Sequence, residues 1–346
     1  MSASTTPGGL RVTFEPFDLP LANPFGISRR TTTVARNVLV RAEWDGLVGY
    51  GEASPNAYYG ECQESVLAWL PRLIDALPDD PFMVRQAVAQ LEHAAHHNPA
   101  ARAGVELALW DLVGKRYGAP IWRLWGINEQ VPLSSFTIGI DTPERMAEKA
   151  TAAAEYPLLK IKVGTADDVA RLRTVRAARP DARLQVDANG AWSAKEAIAA
   201  IPRLAEFDIE LIEQPVRADD LDGLLAVSRS TSLPVYADEG CVTARDVPRV
   251  ADRCDGVVVK LQKCGGLLPA LEHVQTARAH GLKVMMGCMI ESGLGIAAAT
   301  QLAPLCDSLD LDGNILLARD PFEAVSARQG QLTMPTGPGL GATLKP

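Results

Sequence analysis

Eight short apolar segments follow one another in the second part of the chain, separated by amphipathic helical segments. They recur about every 22 to 27 residues after Pro132. The segments are SSFTIGI (134–140), LLKIKVG (158–164), RLQVDANG (183–190), IELIEQP (209–215), LPVYADEG (233–240), GVVVKLQKC (256–264), KVMMGCMI (283–290) and SLDLDG (308–313). Strands that alternate with helices are parallel, and eight such units over about 190 residues are typical of a parallel α/β barrel. A doubly wound sheet would give the same alternation.

The first part of the chain has a different pattern. Residues 10–53 alternate apolar and polar side chains, as in NVLVRAEW, which is the period of antiparallel strands. From about 63 to 118 the period becomes helical, as in MVRQAVAQLEHAA. We therefore predict an α+β domain over residues 1–125 that caps a barrel domain over residues 126–324. We expect the Gly/Pro-rich tail, about 325–346, to fold back and complete the first domain.

Composition excludes several classes of partner. The 346 residues include 34 Lys+Arg and 42 Asp+Glu, a net charge of −8, whereas a protein that binds nucleic acid needs a basic face. No apolar run reaches the roughly 18–20 residues of a membrane span. The six cysteines form no CxxC pair, and the chain starts without a visible secretory signal. These features predict a cytoplasmic protein with reduced thiols and a small-molecule partner.

Ionisable residues interrupt the apolar strands at a regular position, the strand end. Lys162, Asp187, Glu213, Asp238 and Lys260 fall one to each of five consecutive βα units. In a parallel barrel these ends converge on the face where barrel enzymes place their chemistry, which favours a barrel over a doubly wound sheet. The alternative is a buried ion-pair network that only neutralises itself, but burial of so much charge is expensive.

The types of these residues indicate the chemistry. Three carboxylates without histidine or cysteine suit a hard cation such as Mg²⁺. A carboxylate bound to that cation has an acidified α-proton, because the cation stabilises the enediolate that forms when the proton leaves. Lys160 and Lys162 point the same way, so Lys160 is expected to lower the pKa of Lys162 by like-charge repulsion. Outside this set, we expect solvated side chains at Asp181, Lys263 and Asp307.

Several ordered motifs carry a family resemblance over nearly the whole chain. They are GYGEASP (49–55), ARAGVELALWDLVGK (101–115), KIKVG, VDANGAW, IEQP, ADEG, VKLQKCGG and MMGCMIESGLG. With these motifs the sequence resembles the muconate-lactonizing subgroup of the enolase superfamily. The resemblance implies a modified TIM barrel, (β/α)7β, with an N-terminal α+β capping domain. Family members often form octamers or smaller rings, although no residue of this sequence indicates a homo-oligomer.

The resemblance also implies a role for individual residues. It assigns one Mg²⁺ per subunit to Asp187, Glu213 and Asp238, and acid–base catalysis on the two faces of the α-carbon to Lys162 and Lys260. It further implies that Lys160 supports the substrate carboxylate, and that Asn189 and Glu239 orient the metal ligands or Lys260.

Finer features point to one subgroup. Family dehydratases carry a histidine on the seventh strand, and KVMMGCMI has none. The segment DLDG resembles the Asp-x-Asp strand of dipeptide epimerases, where Asp310 and Asp312 would hold a free α-ammonium group. We expect both carboxylates to be unpaired before substrate binds. Thr137 and Cys288 match positions that contact substrate in those epimerases.

The first domain is expected to set side-chain specificity. The segment PFGISRRT (24–31) is predicted to be a mobile loop, and Arg30 falls where alanyl-glutamate epimerases carry an arginine that binds the glutamate side chain. The leading hypothesis is thus a Mg²⁺-dependent dipeptide epimerase acting on L-Ala-D/L-Glu or a related dipeptide. An o-succinylbenzoate synthase/N-acylamino acid racemase or a cycloisomerase on the same scaffold is the alternative. A non-catalytic binding protein is a remote third.

Overall fold

Two sheets of different kinds organise the chain in this computed structural model, which describes residues 2–5, 9–325, 327 and 329–346. The first sheet has four antiparallel strands, and the second has eight parallel strands that follow in chain order. No helix in these described ranges is long and apolar enough to cross a membrane.

The N-terminal domain is an antiparallel sheet covered by helices. Its elements are β1 (Ser2–Thr5), β2 (Arg11–Ile27), β3 (Arg30–Trp44), β4 (Leu47–Ala53), α1 (Gln63–Asp75), α2 (Val84–Ala94), α3 (Pro99–Tyr117) and α4 (Ile121–Leu124). Alternate residues of β3 such as Val38 and Val40 share a buried core with Leu70 of α1 and Leu109 of α3. Helix α3 lies so close to β4 that a Cβ atom on Gly51 would be 2.0 Å from the carbonyl oxygen of Gly104.

The barrel strands are those that the sequence predicts. They are β5 (Phe136–Ile138), β6 (Leu158–Lys162), β7 (Arg183–Asp187), β8 (Ile209–Glu213), β9 (Val235–Ala237), β10 (Gly256–Val259), β11 (Lys283–Gly287) and β12 (Ser308–Asp310). Each pairs in parallel with its chain neighbours, and a parallel bridge between Ser134 and Leu309 joins the last strand to the first. The prediction of a barrel rather than a doubly wound sheet is confirmed.

Helices connect successive strands around the outside of the barrel. They are α5 (Pro143–Ala152), α6 (Asp168–Ala178), α7 (Ala194–Ala205), α8 (Leu221–Ser230), α9 (Val247–Val250), α10 (Leu261–Cys264), α11 (Leu267–Ala279) and α12 (Gly293–Thr300). Seven connections lie between the eight strands, which gives the (β/α)7β pattern. Outward-facing residues such as Leu159 and Ile161 pack under the helices. A separate cluster of Leu211, Tyr236, Val258 and Met285 is also buried.

The segment 24–31 is a hairpin, so the prediction of a loop there is wrong. Phe25 pairs with Thr32 and Ile27 pairs with Arg30, which leaves Ser28 and Arg29 as the turn. The run of β-branched threonines after the turn favours this extended pairing. The hairpin tip lies against the barrel, where the N–H of Ile140 donates to the carbonyl oxygen of Gly26 at 2.8 Å.

The C-terminal tail packs beside the N-terminal domain. Its strand β14 (Thr343–Leu344) pairs antiparallel with β13 (Phe322–Glu323), which lies just before the tail. The backbone N–H of Leu340 donates to Asp111 Oδ1 at 2.9 Å, and Trp122 Nε1 donates to the carbonyl oxygen of Pro335 at 2.8 Å. These bonds connect the tail to α3 and to α4.

Buried carboxylates of the N-terminal domain also complete barrel helices. Glu106 of α3 accepts the N–H groups of Leu267 and Leu268, at 2.9 and 2.8 Å, at the start of α11. Glu52 of β4 accepts the N–H of Ser292, at 3.0 Å, just before α12. The first N–H groups of a helix have no partner within the helix, so an external carboxylate satisfies them. Burial raises the pKa of each of these two carboxyls to about 7.

We predict that Glu106→Gln lowers the free energy of unfolding by about 1 to 3 kcal/mol at pH 8. The amide has the same size, but it offers one acceptor oxygen instead of two, so one N–H of α11 loses its partner. Urea denaturation followed by circular dichroism measures the loss. Glu148→Gln on an exposed face of α5 is the matched control and should change stability by less than about 0.5 kcal/mol. Equal effects of the two substitutions would contradict the helix-capping role.

Candidate active site

The strand-end charges converge at the carboxyl end of the barrel. Lys162 lies opposite Asp187 in the strand register, and Asp187 lies opposite Glu213. Asp238 and Lys260 follow directly after β9 and β10. All five residues are buried. The structure thus brings together the predicted metal-ligand and acid–base residues.

Each of the two lysines has its own carboxylate. Lys162 Nζ donates to Asp187 Oδ2 at 2.5 Å, and Lys260 Nζ donates to Asp238 Oδ2 at 2.8 Å. Burial opposes ionisation of Asp187, but the ammonium groups of Lys162 and Lys160 outweigh it and hold the pKa of Asp187 below its usual range. Burial also opposes the charge on Lys260, yet the carboxylates of Asp238 and Glu213 raise its pKa. Asp187 and Lys260 are therefore stabilised in their charged forms.

Glu213 is the least compensated of the three carboxylates. Within the described residues, its Oε1 atom is buried without a hydrogen-bond partner, and Oε2 has only the ionic contact with Lys160 at 2.6 Å. Burial, and then the negative charge of Asp187, raise the pKa of Glu213. Nearby, Asn189 Oδ1 and Glu239 Oε2 are also buried without a partner.

Lys263 belongs to this site, so the expectation that it is solvated is wrong. Its side chain is 0% exposed, and Nζ donates to Asp238 Oδ1 at 2.6 Å and to the carbonyl oxygens of Asp238, Cys241 and Val258. The physical reason is α10, a single turn that directs a residue three positions after Lys260 back under the barrel end. Asp181 is exposed as expected, and Asp307 is partly exposed.

The carboxylate set fits a hard divalent cation. Oxygen donors without nitrogen or sulfur are the ligands that Mg²⁺ prefers, and Glu213 offers a buried oxygen without a partner. In the described part of the chain, no three carboxylates surround one common point. Asp187 and Asp238 are instead oriented toward ammonium groups, at the distances given above. Asp187, Glu213 and Asp238 are the residues that could hold the cation.

A second acidic pair lies across the barrel mouth. Asp310 accepts hydrogen bonds from Ser135 Oγ at 2.9 Å and Lys160 Nζ at 2.7 Å. Asp312 accepts the N–H of Thr137 at 2.6 Å. The expectation that both carboxylates are unpaired is therefore wrong for Asp310, because Lys160 reaches it from the neighbouring part of the barrel.

The two aspartates differ in their charge balance. Burial, and then the charge of Asp310, raise the pKa of Asp312 to about 7. Burial works against ionisation of Asp310 too, but Lys160 and Lys162 lower its pKa. A cation placed beside Asp312 would relieve its unfavourable position.

Lys160 was predicted to support the substrate carboxylate, but its side chain is completely buried below the cavity. Its side chain is 0% exposed and contacts Asp310, Glu213 and Asp187, the last at 3.4 Å. These carboxylates overcome the effect of burial and raise the pKa of Lys160 well above its usual value. In this structure Lys160 neutralises the acidic residues beneath the site.

A cavity of about 500 Å³ opens above these residues, between the barrel and the N-terminal domain. Its walls include most of the predicted site residues and several others, among them Phe25, Arg29, Arg30, Tyr59, Thr137, Lys162, Asn189, Asp238, Glu239, Lys260, Cys288, Met289, Asp310 and Asp312. Arg29 and Tyr59 were not predicted from the sequence. A pair of adjacent arginines is visible there, but nothing in the sequence shows that Arg29 reaches the carboxylate of Glu239.

The N-terminal domain and the charged barrel end together define a two-domain barrel protein with an acid–base site. Residues 144–346 match the family described as enolase C-terminal domain-like, and residues 11–126 match the mandelate racemase/muconate lactonizing enzyme N-terminal domain. The chain belongs to the mandelate racemase/muconate lactonizing enzyme family of the enolase superfamily. The fold and the family predicted from the sequence are confirmed.

Several proteins with known activities or solved structures are similar to this chain over most of its length. The L-Ala-D/L-Glu epimerase of Bacteroides thetaiotaomicron is 38% identical over 96% of this chain and 88% of that protein. The dipeptide epimerase of Enterococcus faecalis, complexed with Mg and the dipeptide L-Leu-L-Tyr, has a TM-score of 0.91 and 33% identity over 99% of this chain and 100% of that one. The N-succinyl Arg/Lys racemase of Bacillus cereus has a TM-score of 0.93 and 29% identity over 96% of this chain and 95% of that one.

We predict that Lys263→Met lowers the free energy of unfolding by about 3 kcal/mol or more, because it leaves buried charge on Asp238 less compensated and three carbonyl oxygens without their donor. Thermal and urea denaturation measure the loss. Lys195→Met, on an exposed position of α7, removes the same charge from the surface and should cost less than about 0.5 kcal/mol. A Lys263→Met protein as stable as the wild type would show that Asp238 does not depend on this ammonium.

Proposed function

We propose that the protein is a Mg²⁺-dependent dipeptide epimerase that inverts the α-carbon of the C-terminal residue by a two-lysine 1,1-proton transfer. The observation that carries this proposal is the shared cavity of Lys162, Lys260, Asp310 and Asp312. Two bases serve proton transfer at a carbon, and the acidic pair suits a free ammonium group. The names of the similar epimerases support the same conclusion.

Asp187, Glu213 and Asp238 would hold the cation. When bound, Mg²⁺ supplies positive charge that stabilises the negative charge developing on the substrate carboxylate as the α-proton leaves. Asn189 Nδ2 lies 3.3 Å from both Asp187 Oδ2 and Glu239 Oε1. We assign Asn189 and Glu239 the role of orienting this carboxylate set.

Lys162 and Lys260 would take and return the proton. Lys162 is anchored by Asp187 and Lys260 by Asp238, on opposite sides of Glu213 in the strand order. One neutral lysine removes the α-proton from its face, and the protonated partner delivers a proton to the other face. A Cβ atom at Gly287 would lie 3.0 Å from Lys260 Cε, so the glycine provides the room in which this side chain extends.

The acidic pair would select a free amine. Asp312 accepts one backbone N–H and has a pKa near 7, so an incoming ammonium group gives it the charge partner that Lys160 gives Asp310. Thr137 and Cys288 line the same part of the cavity and would contact the dipeptide. A charge-assisted hydrogen bond of this kind contributes about 1.5 to 3 kcal/mol.

The N-terminal domain would select the C-terminal side chain. Arg30 lines the cavity, and burial together with the charge of Arg29 lowers its pKa. Arg30 has no ion-pair partner among the described residues. We propose that it binds the side-chain carboxylate of a C-terminal glutamate, with L-Ala-D/L-Glu as the substrate.

The second candidate is an N-acylamino acid racemase. The likeness to the N-succinyl Arg/Lys racemase favours it, because that structure covers 96% of this chain. An acylated substrate has no ammonium group and gives the acidic pair no charge partner, so the two candidates differ in how they use Asp312.

The domain division and the location complete the proposal. We propose that residues 1–125 and the tail from about 325 form the capping domain and that residues 126–324 form the barrel. The bonds from Leu340 to Asp111 and from Trp122 to Pro335 support this division. A cytoplasmic location is supported by the six unpaired cysteines. The family resemblance favours a homo-oligomer.

Proton exchange in D₂O tests the function. The wild type should introduce one deuterium at the α-carbon of L-Ala-L-Glu and form the epimer, and EDTA should abolish both reactions. Lys162→Ala and Lys260→Ala should each lower epimerisation at least about 100-fold, because reprotonation needs the missing partner. Each should keep slow exchange for the epimer that faces the surviving lysine. Mass spectrometry and chiral chromatography follow the label and the configuration.

Lys195→Ala, on the exposed face of α7, is the control for loss of a lysine and should react like the wild type. Normal epimerisation by either active-site variant would overturn the two-base scheme. If no member of a full dipeptide library exchanged its α-proton, the dipeptide proposal itself would be overturned.

Blocking the substrate amine tests the acidic pair. We expect N-acetylation of the dipeptide to lower kcat/KM at least about tenfold, the equivalent of about 1.4 kcal/mol, because Asp312 loses its charge partner. Asp312→Asn should reduce that preference, since a neutral amide does not select for positive charge. Steady-state kinetics with the free and the N-acetylated dipeptide measure this preference. If the wild type turns over free and N-acetylated dipeptides equally well, the N-acylamino acid racemase replaces the epimerase as the better proposal.

A further inference from the structure

The hairpin tip carries two adjacent arginines with different surroundings. Arg29 lies in the two-residue turn and reaches into the barrel end, where Nη2 donates to Glu239 Oε1 at 2.7 Å and Nη1 donates to the carbonyl oxygen of Asn189 at 2.5 Å. Arg30 begins β3, lines the cavity and has no carboxylate partner among the described residues. One guanidinium is therefore fixed to protein, and its neighbour is available for a ligand.

Both partners of Arg29 belong to segments that carry candidate metal ligands. Glu239 follows Asp238 directly, and Asn189 lies two residues after Asp187. The Glu239 side chain is 3% exposed, and Arg29 is the cation within 4.0 Å of it in the described part of the chain. Removing the cationic partner of a buried carboxylate is strongly destabilising, because the charge that remains has no access to water.

A second contact comes from the N-terminal domain itself. The guanidinium carbon of Arg29 lies 4.2 Å from the centre of the Tyr58 ring. Arginine stacks well on aromatic faces through its planar, weakly hydrated group. Arg29 is thus held between Tyr58 on one side and Glu239 on the other, although its side chain remains 34% exposed.

Two other contacts join the hairpin tip to the barrel. Ser28 Oγ lies 3.4 Å from the carbonyl oxygen of Ala188, near the limit of a hydrogen bond. The backbone bond from Ile140 to Gly26 lies further along β2. Among the described residues, the ion pair with Glu239 is the charged contact between the two-residue turn and the barrel.

We propose that Arg29 is a positioning residue, which fastens the hairpin tip to the barrel at Glu239 and Asn189 and thereby directs Arg30 into the cavity. Arg29 is the last residue of the turn and Arg30 is the first residue of β3, so fastening Arg29 to the barrel also fixes the backbone position from which Arg30 reaches the cavity wall. The inference about specificity rests on the proposed epimerase function. The inference about the anchored tip does not, since it concerns the protein alone.

Limited trypsin digestion tests the anchored tip without any substrate. Trypsin cuts after Arg29 or Arg30 only when the hairpin opens locally, so the summed rate of the two cuts reports the open population. We expect Arg29→Met and Glu239→Gln each to accelerate the combined appearance of fragments 1–29 and 1–30 at least about fivefold, as measured by mass spectrometry. Arg29→Lys, which keeps a charge but loses the forked geometry, should lie between them and the wild type.

Arg217→Met is the matched control. Arg217 forms an exposed ion pair with Asp219 at 3.0 Å, so its loss should leave the cutting rate within about twofold of the wild type. If Arg29→Met and Glu239→Gln also stay within about twofold, the tip is not held by this ion pair and the proposal is wrong.

Kinetics then test the consequence for Arg30. With L-Ala-L-Glu, Arg29→Met should raise KM about tenfold with a smaller change in kcat, and with L-Ala-L-Leu the change in KM should be about twofold or less. Arg29→Lys should restore part of the difference. Faster cutting with an unchanged preference for the acidic dipeptide would overturn the positioning of Arg30. If the wild type epimerises neither dipeptide, the proposed function fails, and the digestion result still decides whether Arg29 anchors the tip.

Discussion

The structure depends on compensating charge among the buried side chains at one end of the barrel. Four ammonium groups and the surrounding carboxylates share one small volume, and every lysine of the set contacts at least one carboxylate. Lys162 pairs with Asp187, and Lys260 and Lys263 share Asp238. Removing one member leaves an uncompensated charge in a medium of low dielectric. The network is therefore costly to build, and it holds the amines of Lys162 and Lys260 at fixed points on either side of Glu213.

The N-terminal domain contributes to the same end of the barrel in two ways. Its carboxylates at Glu52 and Glu106 satisfy the first N–H groups of α12 and α11. Its hairpin tip carries Arg29 to the segment that follows β9. The N-terminal domain thus supports α11 and α12 and forms part of the cavity wall. Both domains therefore contribute charged groups to the site.

Much of this could be read from the sequence because it depends on short-range periodicity. Strand alternation and one charge for each βα unit place Asp187, Glu213 and Asp238 on a common face without knowledge of side-chain contacts. Contacts across the barrel were not readable in this way. The reach of Lys160 to Asp310 depends on side-chain length across the barrel interior. The burial of Lys263 depends on one helical turn of four residues. Which of the two adjacent arginines reaches Glu239 depends on their positions in the two-residue turn of the hairpin.

The C-terminal tail determines when the N-terminal domain can be completed during synthesis. The carboxylate of Asp111 accepts the N–H of Leu340, a residue 229 positions later in the chain. Synthesis delivers α3 long before it delivers this partner, so the surface of α3 beneath the tail remains uncovered while the whole barrel is being made. Closing so long a loop costs conformational entropy that only the finished barrel can offset by bringing the two segments together. The tail thus completes a domain from which it is separated, in the order of synthesis, by the whole barrel.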